Sequence, residues 1–335
     1  MEQRVYSRIS AVAAHLPERV LSTGELEERI AKNSPGFDVP RGMIERLTGV
    51  ASRHVRPDGW DASDLAVAAS RKALADAGCD TAAVDLLIFS AMSMDVLEPA
   101  TAHIVADKLG ARCPVFDVKN ACNSFLNALE VGDSLIRTGS YRRILVCCGE
   151  SVTQFARTSV SSPREFVESV TGYTLSDAGA AVVLEASTEP GIAGFVFSAL
   201  SSVWKAGVLP FPGSAGRCGD RPKFRLADMV KGFHELFRAD LARQVEQRIG
   251  GTMDEVSLFC VHLASAHLIS DFCATAGIPR SRVMTTIASH GNTAAATLPL
   301  QLDKALREGR LHRGDIAVLV GHASGISYGI LGVRV

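Results

Sequence analysis

Two stretches of this chain repeat one local plan. Residues 78–90 read GCDTAAVDLLIFS and residues 250–262 read GGTMDEVSLFCVH. Each begins with a glycine suited to ending a helix, continues through a short linker and finishes in an apolar, β-rich run. The elements around the two stretches recur in the same order. The chain is therefore expected to form an internally duplicated α/β fold, with halves at 1–187 and 188–335.

In the first half, apolar spacing predicts helices over 61–77, 100–109 and 122–136, and β-rich runs predict strands over 86–90, 115–118, 144–148 and 180–184. Gly78, Gly110 and Gly139 supply helix stops. The second half opens with one long amphipathic helix whose residues Leu226, Val230, Phe233, Phe237, Leu241 and Val245 share a face. A strand over 258–262, a helix to 276, a strand over 284–287, a helix over 293–306 and strands over 316–320 and 327–333 follow. Alternation of this kind implies two sheets with helix layers, and helices apolar all round belong between the sheets. Segments 151–175 and 201–224 interrupt the pattern, the second with Pro210, Pro212, Gly213 and Gly216, and are expected to be lids or binding loops.

With 335 residues, 47% of them hydrophobic, the chain can bury a large core. Its 35 basic and 36 acidic residues give a net charge of -1, which provides no overall field for nucleic acid or an anionic membrane. No apolar run is long enough to span a bilayer and no signal-peptide pattern opens the chain, so a cytoplasmic location is expected. The eight cysteines include no Cys-x-x-Cys pair and the nine histidines are scattered, so no metal site is expected.

Chemistry concentrates at three residues. In VFDVKNACNSFLNAL, residues 115–129, Cys122 falls at the expected first turn of an apolar helix. Unpaired N–H groups and the helix dipole there would stabilise a thiolate, lowering the thiol pKa, and would bind a developing oxyanion. A buried core cysteine is the plainer alternative. His262 ends the apolar strand SLFCVH, where its ring needs a partner or a cavity. Asn292 lies among small residues in ASHGNTAAATLPL and is either a ligand contact or a helix cap.

The set Cys122, His262 and Asn292 resembles the β-ketoacyl carrier-protein synthase III family of the thiolase superfamily, over essentially the whole length. FDVKNACNSFLNAL, LSDAGAAVVLE, HGNTAAATLPLQLDKALREGRLHRGD and GHASGISYG carry the resemblance. It implies a thiolase-like five-layered αβαβα fold with two pseudo-symmetric halves, a homodimer, and no cofactor. It also implies that Cys122 takes an acyl group from a thioester on acyl carrier protein or coenzyme A. His262 and Asn292 would stabilise the enolate of a second thioester, and a backbone oxyanion site would combine Cys122 with Ser324 or Gly325.

The chain departs from that family at several points. Met43 and Leu47 replace a tryptophan and an arginine that contact coenzyme A, and His267 replaces a basic carrier-contacting residue. Glu98 stands where the family places an apolar side chain at the partner subunit's acyl pocket; a solvated loop residue is the plainer reading. These changes point to carrier-delivered substrates in polyketide or other specialised metabolism. An acyltransferase that passes the acyl group to an alcohol or amine, and a non-catalytic ketosynthase partner, are the alternatives.

Overall fold

The computed structural model describes residues 4–210, 222–237 and 241–335. Ten strands form two five-stranded sheets. The first sheet contains β1 (Tyr6–His15), β2 (Leu86–Ser90), β3 (Val115–Val118), β4 (Arg143–Glu150) and β5 (Ala178–Ser187). The second contains β6 (Ile192–Ala199), β7 (Val256–His262), β8 (Val283–Met284), β9 (Ile316–Ala323) and β10 (Ser327–Arg334).

In space the first sheet runs β1-β5-β4-β2-β3 and the second β6-β10-β9-β7-β8. The pairings correspond one for one. The two pairs beginning at β1 or β6 are antiparallel, and the two pairs flanking β2 or β7 are parallel. The expected duplication is thus realised as two sheets of one topology.

Five layers follow from the helices. On the outer face of the first sheet lie α1 (Ala62–Asp76) and α2 (Thr101–Leu109), and between the sheets lies α3 (Ser124–Arg137). In the second half α4 (Leu226–Phe237) packs on β10, α5 (Ala266–Ala276) covers the outer face, and α6 (Thr297–Arg307) joins α3 in the central layer. Buried Leu126, Leu129, Leu298 and Leu302 of the central helices share one core cluster with residues of both sheets. Each such side chain contributes roughly 1.5–3 kcal/mol of apolar burial, which makes the central layer the seam holding the halves together.

Three expectations change. The long helix expected from 226 is described as α4 and a short helix, Leu241–Gln244, that passes into a π-turn over Val245–Ile249; residues 238–240 lie outside the described residues. The strand expected over 284–287 stops at Met284, and Ile287 begins a short helix. The helix expected from 122 begins at Ser124, so Cys122 sits in the turn before it.

Candidate active site

The turn that carries Cys122 is built by its neighbours. Ala121 has φ 47°, a left-handed conformation that no helix can include, and it stops α3 from extending back through Cys122. Ser124 pins the turn: its Oγ donates to the Ala121 carbonyl at 2.6 Å and accepts from Asn120 N–H at 2.8 Å. Asn123 is fully buried and donates through Nδ2 to Ser327 Oγ at 2.9 Å, which docks the turn on the second half. Gly321 makes that close approach possible, since a Cβ there would collide with Asn123 Oδ1 and crowd Leu126.

His262 ends β7 directly beside Gly321 of β9, so the same approach that docks the cysteine turn brings the imidazole to it. The ring is 3% exposed, and burial alone lowers its pKa to about 4. It is therefore neutral at neutral pH, and among the described residues its Nδ1 has no hydrogen-bond partner. From α6, Gln301 donates to the neighbouring Val261 carbonyl at 3.0 Å and holds the strand end in place.

Asn292 is fixed by the segment between loop and β5. Its N–H donates to Thr174 O at 2.7 Å and its carbonyl accepts from Ser176 N–H at 2.9 Å. Its side-chain Oδ1 accepts from Ala294 N–H at 3.0 Å, across a turn in which Ala294 also has φ 47°. With the oxygen engaged, the amide NH2 is the end left to act as a donor.

Cys122, His262 and Asn292 line one cavity of about 330 Å³, together with Ser324 and Gly325 of the β9–β10 hairpin. Met92, Phe155, Leu175, Met229 and Phe233 make much of its wall apolar. Both pattern-breaking segments contribute to it, through Phe155 and Thr171 and through Trp204 and Val208. Residues 211–221, which include Pro212, Gly213, Gly216 and Cys218, lie outside the described residues.

The expected lowering of the Cys122 pKa is reversed. Burial pushes the thiol up to about 12, the negative charge of Glu150 adds to the rise, and a main-chain hydrogen bond opposes it only in part. Desolvation outweighs a helix terminus that begins two residues further on. Glu98, Met43 and His267 do not line the cavity. Glu98 is exposed in a loop beside exposed Leu97. Met43 packs against the cluster containing Leu26 and Ile30, accepting from Arg46 Nη2 at 3.0 Å, and the His267 ring lies 3.1 Å from the Arg46 carbonyl.

Three polar residues escaped the sequence reading. Lys119 lines the cavity three positions before Cys122 and is its one lysine or arginine among the described residues. His322 also lines it, hydrogen-bonds the main chain of His262, and has its pKa lowered to about 3 by burial. Glu150 lies behind the wall at the end of β4. Lys119 and His322 lie inside the motifs VFDVKNAC and GHASGISYG, and their chemistry is the available signal. Among the described residues, no three His, Cys, Asp or Glu side chains cluster as a metal site would need. No described helix is long and apolar enough to cross a membrane.

Comparison with known proteins gives this arrangement a family. Models of 3-oxoacyl-acyl-carrier-protein (ACP) synthase III match residues 116–201, and models of its C-terminal part match residues 247–335. The chain belongs to the 3-oxoacyl-ACP synthase III family. These synthases are condensing enzymes of the thiolase superfamily, and the five-layered fold agrees with that membership. Among solved structures, Xanthomonas campestris OleA as a cysteine-to-alanine variant is 28% identical, with TM-score 0.86 over 99% of this chain and 98% of that one. The cerulenin-bound form of OleA gives the same figures, 28% identity and TM-score 0.86 over 99% and 98% of the two chains. A cysteine-to-serine OleA variant with bound lauric acid and lauroyl-CoA is 28% identical, with TM-score 0.85 over 100% of both chains.

Proposed function

We propose that this synthase joins an acyl group held on Cys122 to a second thioester of the malonyl or β-ketoacyl type, forming a carbon–carbon bond. The observation that carries the reading is the convergence, on one cavity, of a thiol, a neutral imidazole and an amide whose oxygen is already engaged.

In the first step Cys122 Sγ attacks the thioester carbonyl and the carbon–sulfur bond to the carrier breaks. The cysteine proton ends on the departing thiol. Backbone N–H groups of Cys122 and of the Ser324–Gly325 turn are the donors for the transient oxyanion. In the second step an α-carboxylated thioester loses CO2, and the electron pair passes into an enolate whose oxygen accepts from His262 and Asn292 Nδ2. A neutral imidazole and an amide stabilise that charge without giving up a proton. The enolate carbon then attacks the acyl carbon, and the bond to Cys122 Sγ breaks to leave the β-ketoacyl thioester and a Cys122 thiolate, which takes a proton from solvent to restore the thiol.

A second cleft, of about 690 Å³, shares Thr171 and Phe224 with the catalytic cavity and carries Arg157, Arg164 and Arg225. Each arginine is oriented by an acid, Glu165, Glu168 and Asp228 respectively. Guanidinium groups suit the phosphate of a phosphopantetheine arm, which coenzyme A and carrier proteins share. Leu47 lines this cleft and offers no stacking or charge for an adenine nucleotide, which favours carrier-protein delivery and a place in polyketide or other specialised metabolism. The apolar wall suits an alkyl chain, and the lauroyl-CoA held by the OleA variant makes acyl-CoA the competing donor.

The reading extends to a homodimer. Among the described residues β3 is an edge strand, paired only with β2, and Val96 and Leu97, in the segment after β2, are 43% and 72% exposed. An unpaired strand edge and exposed aliphatic side chains are surfaces for pairing with a second copy.

Intact mass tests the catalytic reading. Wild-type protein and Cys122→Ala are incubated briefly with lauroyl thioesters on coenzyme A and on carrier protein. A lauroyl adduct on wild type alone, larger from the carrier protein, is expected. No adduct from either donor would remove the covalent step, and a larger adduct from coenzyme A would reverse the donor assignment.

A further inference from the structure

Glu150 is wholly buried at the C-terminal end of β4. A carboxylate withdrawn from water is costly unless its lone pairs are filled, and here four donors fill them. Oε1 accepts from Met92 N–H at 2.8 Å and from Ala295 N–H at 3.2 Å. Oε2 accepts from Ser93 N–H at 3.1 Å and from Ser93 Oγ at 2.8 Å. The same Ser93 Oγ accepts from Ser151 N–H at 3.1 Å, closing the cluster.

The donors come from different halves of the molecule. Met92 lines the catalytic cavity from the first half, while Ala295 follows the left-handed Ala294, whose N–H holds Asn292 Oδ1. We propose that Glu150 is a positioning residue common to both halves of the site. Its carboxylate fixes the Ala294–Ala295 turn that aims the Asn292 NH2 into the cavity, and it holds the Met92 wall against which Cys122 reacts. This rests on the roles given above to Cys122 and Asn292.

The same charge acts on the thiol. It raises the pKa of Cys122 and of neighbouring Cys148, and it opposes the desolvation that lowers the pKa of Lys119. Asp117 facing Lys119 and Cys147 beside Cys148 also belong to this titratable set, and burial raises the pKa of Glu150 itself against the donors that lower it. Glu150 therefore couples two properties, the aim of the Asn292 amide and the reluctance of Cys122 to ionise.

Glu150→Gln keeps the shape and removes the charge, and Ser93→Ala removes one donor while keeping the charge. Alkylation of Cys122 by iodoacetamide is followed from pH 7 to 10 by intact mass, alongside condensation turnover and acyl-adduct formation. Glu150→Gln is expected to alkylate about 3- to 10-fold faster at pH 8, because each unit of thiol pKa changes the thiolate fraction tenfold. Its kcat for condensation should fall at least about tenfold, on the scale of a lost enolate donor, while the adduct still forms. Ser93→Ala should lower kcat less and leave the alkylation profile in place. An unchanged alkylation profile together with unchanged kcat in Glu150→Gln would overturn the proposal. If Glu150→Gln does not fold, wild-type kcat in Ser93→Ala would overturn it, and a reduced kcat with an unshifted profile would support it. Alkylation needs no condensation chemistry, so failure here is distinguishable from failure of the wild-type acyl adduct, which tests the underlying roles.

Discussion

The turns that lead into the two central helices share a left-handed alanine and differ in chemistry. Three residues before α3 stands Ala121, three before α6 stands Ala294, and both have φ 47°. Counted from the helices, Cys122 therefore corresponds to Ala295, and Asn292 lies three residues upstream of the equivalent point. Duplication supplied one frame twice, and each copy then took a different task. On the proposed mechanism the first turn carries the nucleophile and the second a donor, and at the nucleophile's counterpart stands only an alanine N–H held by Glu150.

If the two turns divide the reaction, changes in the second half should spare the first step. Asn292→Ala and His262→Ala are each expected to lower condensation turnover about 10²- to 10³-fold, the scale of removing one donor to a developing oxyanion. Both should still give the Cys122 acyl adduct in intact mass. Loss of that adduct in step with turnover would mean that the second turn also serves acyl transfer, and the division would fail.

This division was legible only in part from sequence. Strands 86–90 and 115–118 appear as β2 and β3 with the expected ends, because short continuous β-rich runs bounded by turn residues carry a clear signal. β1 was missed. Its sequence YSRISAVAAH mixes serine and alanine, residues of weak strand preference, and it is held by long-range antiparallel pairing with β5. The left-handed φ of Ala121 leaves no mark in NACNS, so the sequence pattern alone places Cys122 in the helix. Glu150 was invisible for another reason: the donors that make its burial tolerable are two backbone segments, at 92–93 and 295, remote from it in sequence.

The halves also differ in what they bury. In the first half His15 and His54 are half-buried and His103 is exposed, whereas the second encloses neutral His262 and His322. Both histidines have folded pKa values, about 4 and about 3, below the ordinary 6.5. Between pH 6.5 and 4 the unfolded chain therefore binds more protons than the folded one, so this contribution to stability is present above pH 6.5 and is lost as pH falls. Urea unfolding at stepped pH should show an uptake of roughly two protons from these rings, a slope of about 1.4 kcal/mol per pH unit for each when fully developed. His322→Phe, seated among Phe233, Phe272 and Tyr328, should remove about half of that slope. An unchanged slope would place acid sensitivity in other groups, among them His290, whose pKa burial also lowers to about 4.

The smallest expected effect separates the two turns themselves. Alanine at positive φ costs about 1–2 kcal/mol, which glycine avoids, while glycine adds about 0.5–1 kcal/mol of backbone entropy to be lost on folding. At Ala121, partly open to the cavity, little packing is at stake, and Ala121→Gly should raise stability by up to about 1 kcal/mol. Ala294 is 2% exposed and packs beside Val152 and Leu175, so removing its methyl also removes burial worth roughly 0.8 kcal/mol. Ala294→Gly should therefore be close to neutral despite the identical φ. Chemical denaturation of both variants reads the difference directly. Equal stabilisation would mean that strain alone sets the cost of each turn, whereas a gain confined to Ala121 would mean that packing around the Asn292 turn offsets its strain and that the two copies of the frame are held in place by different forces.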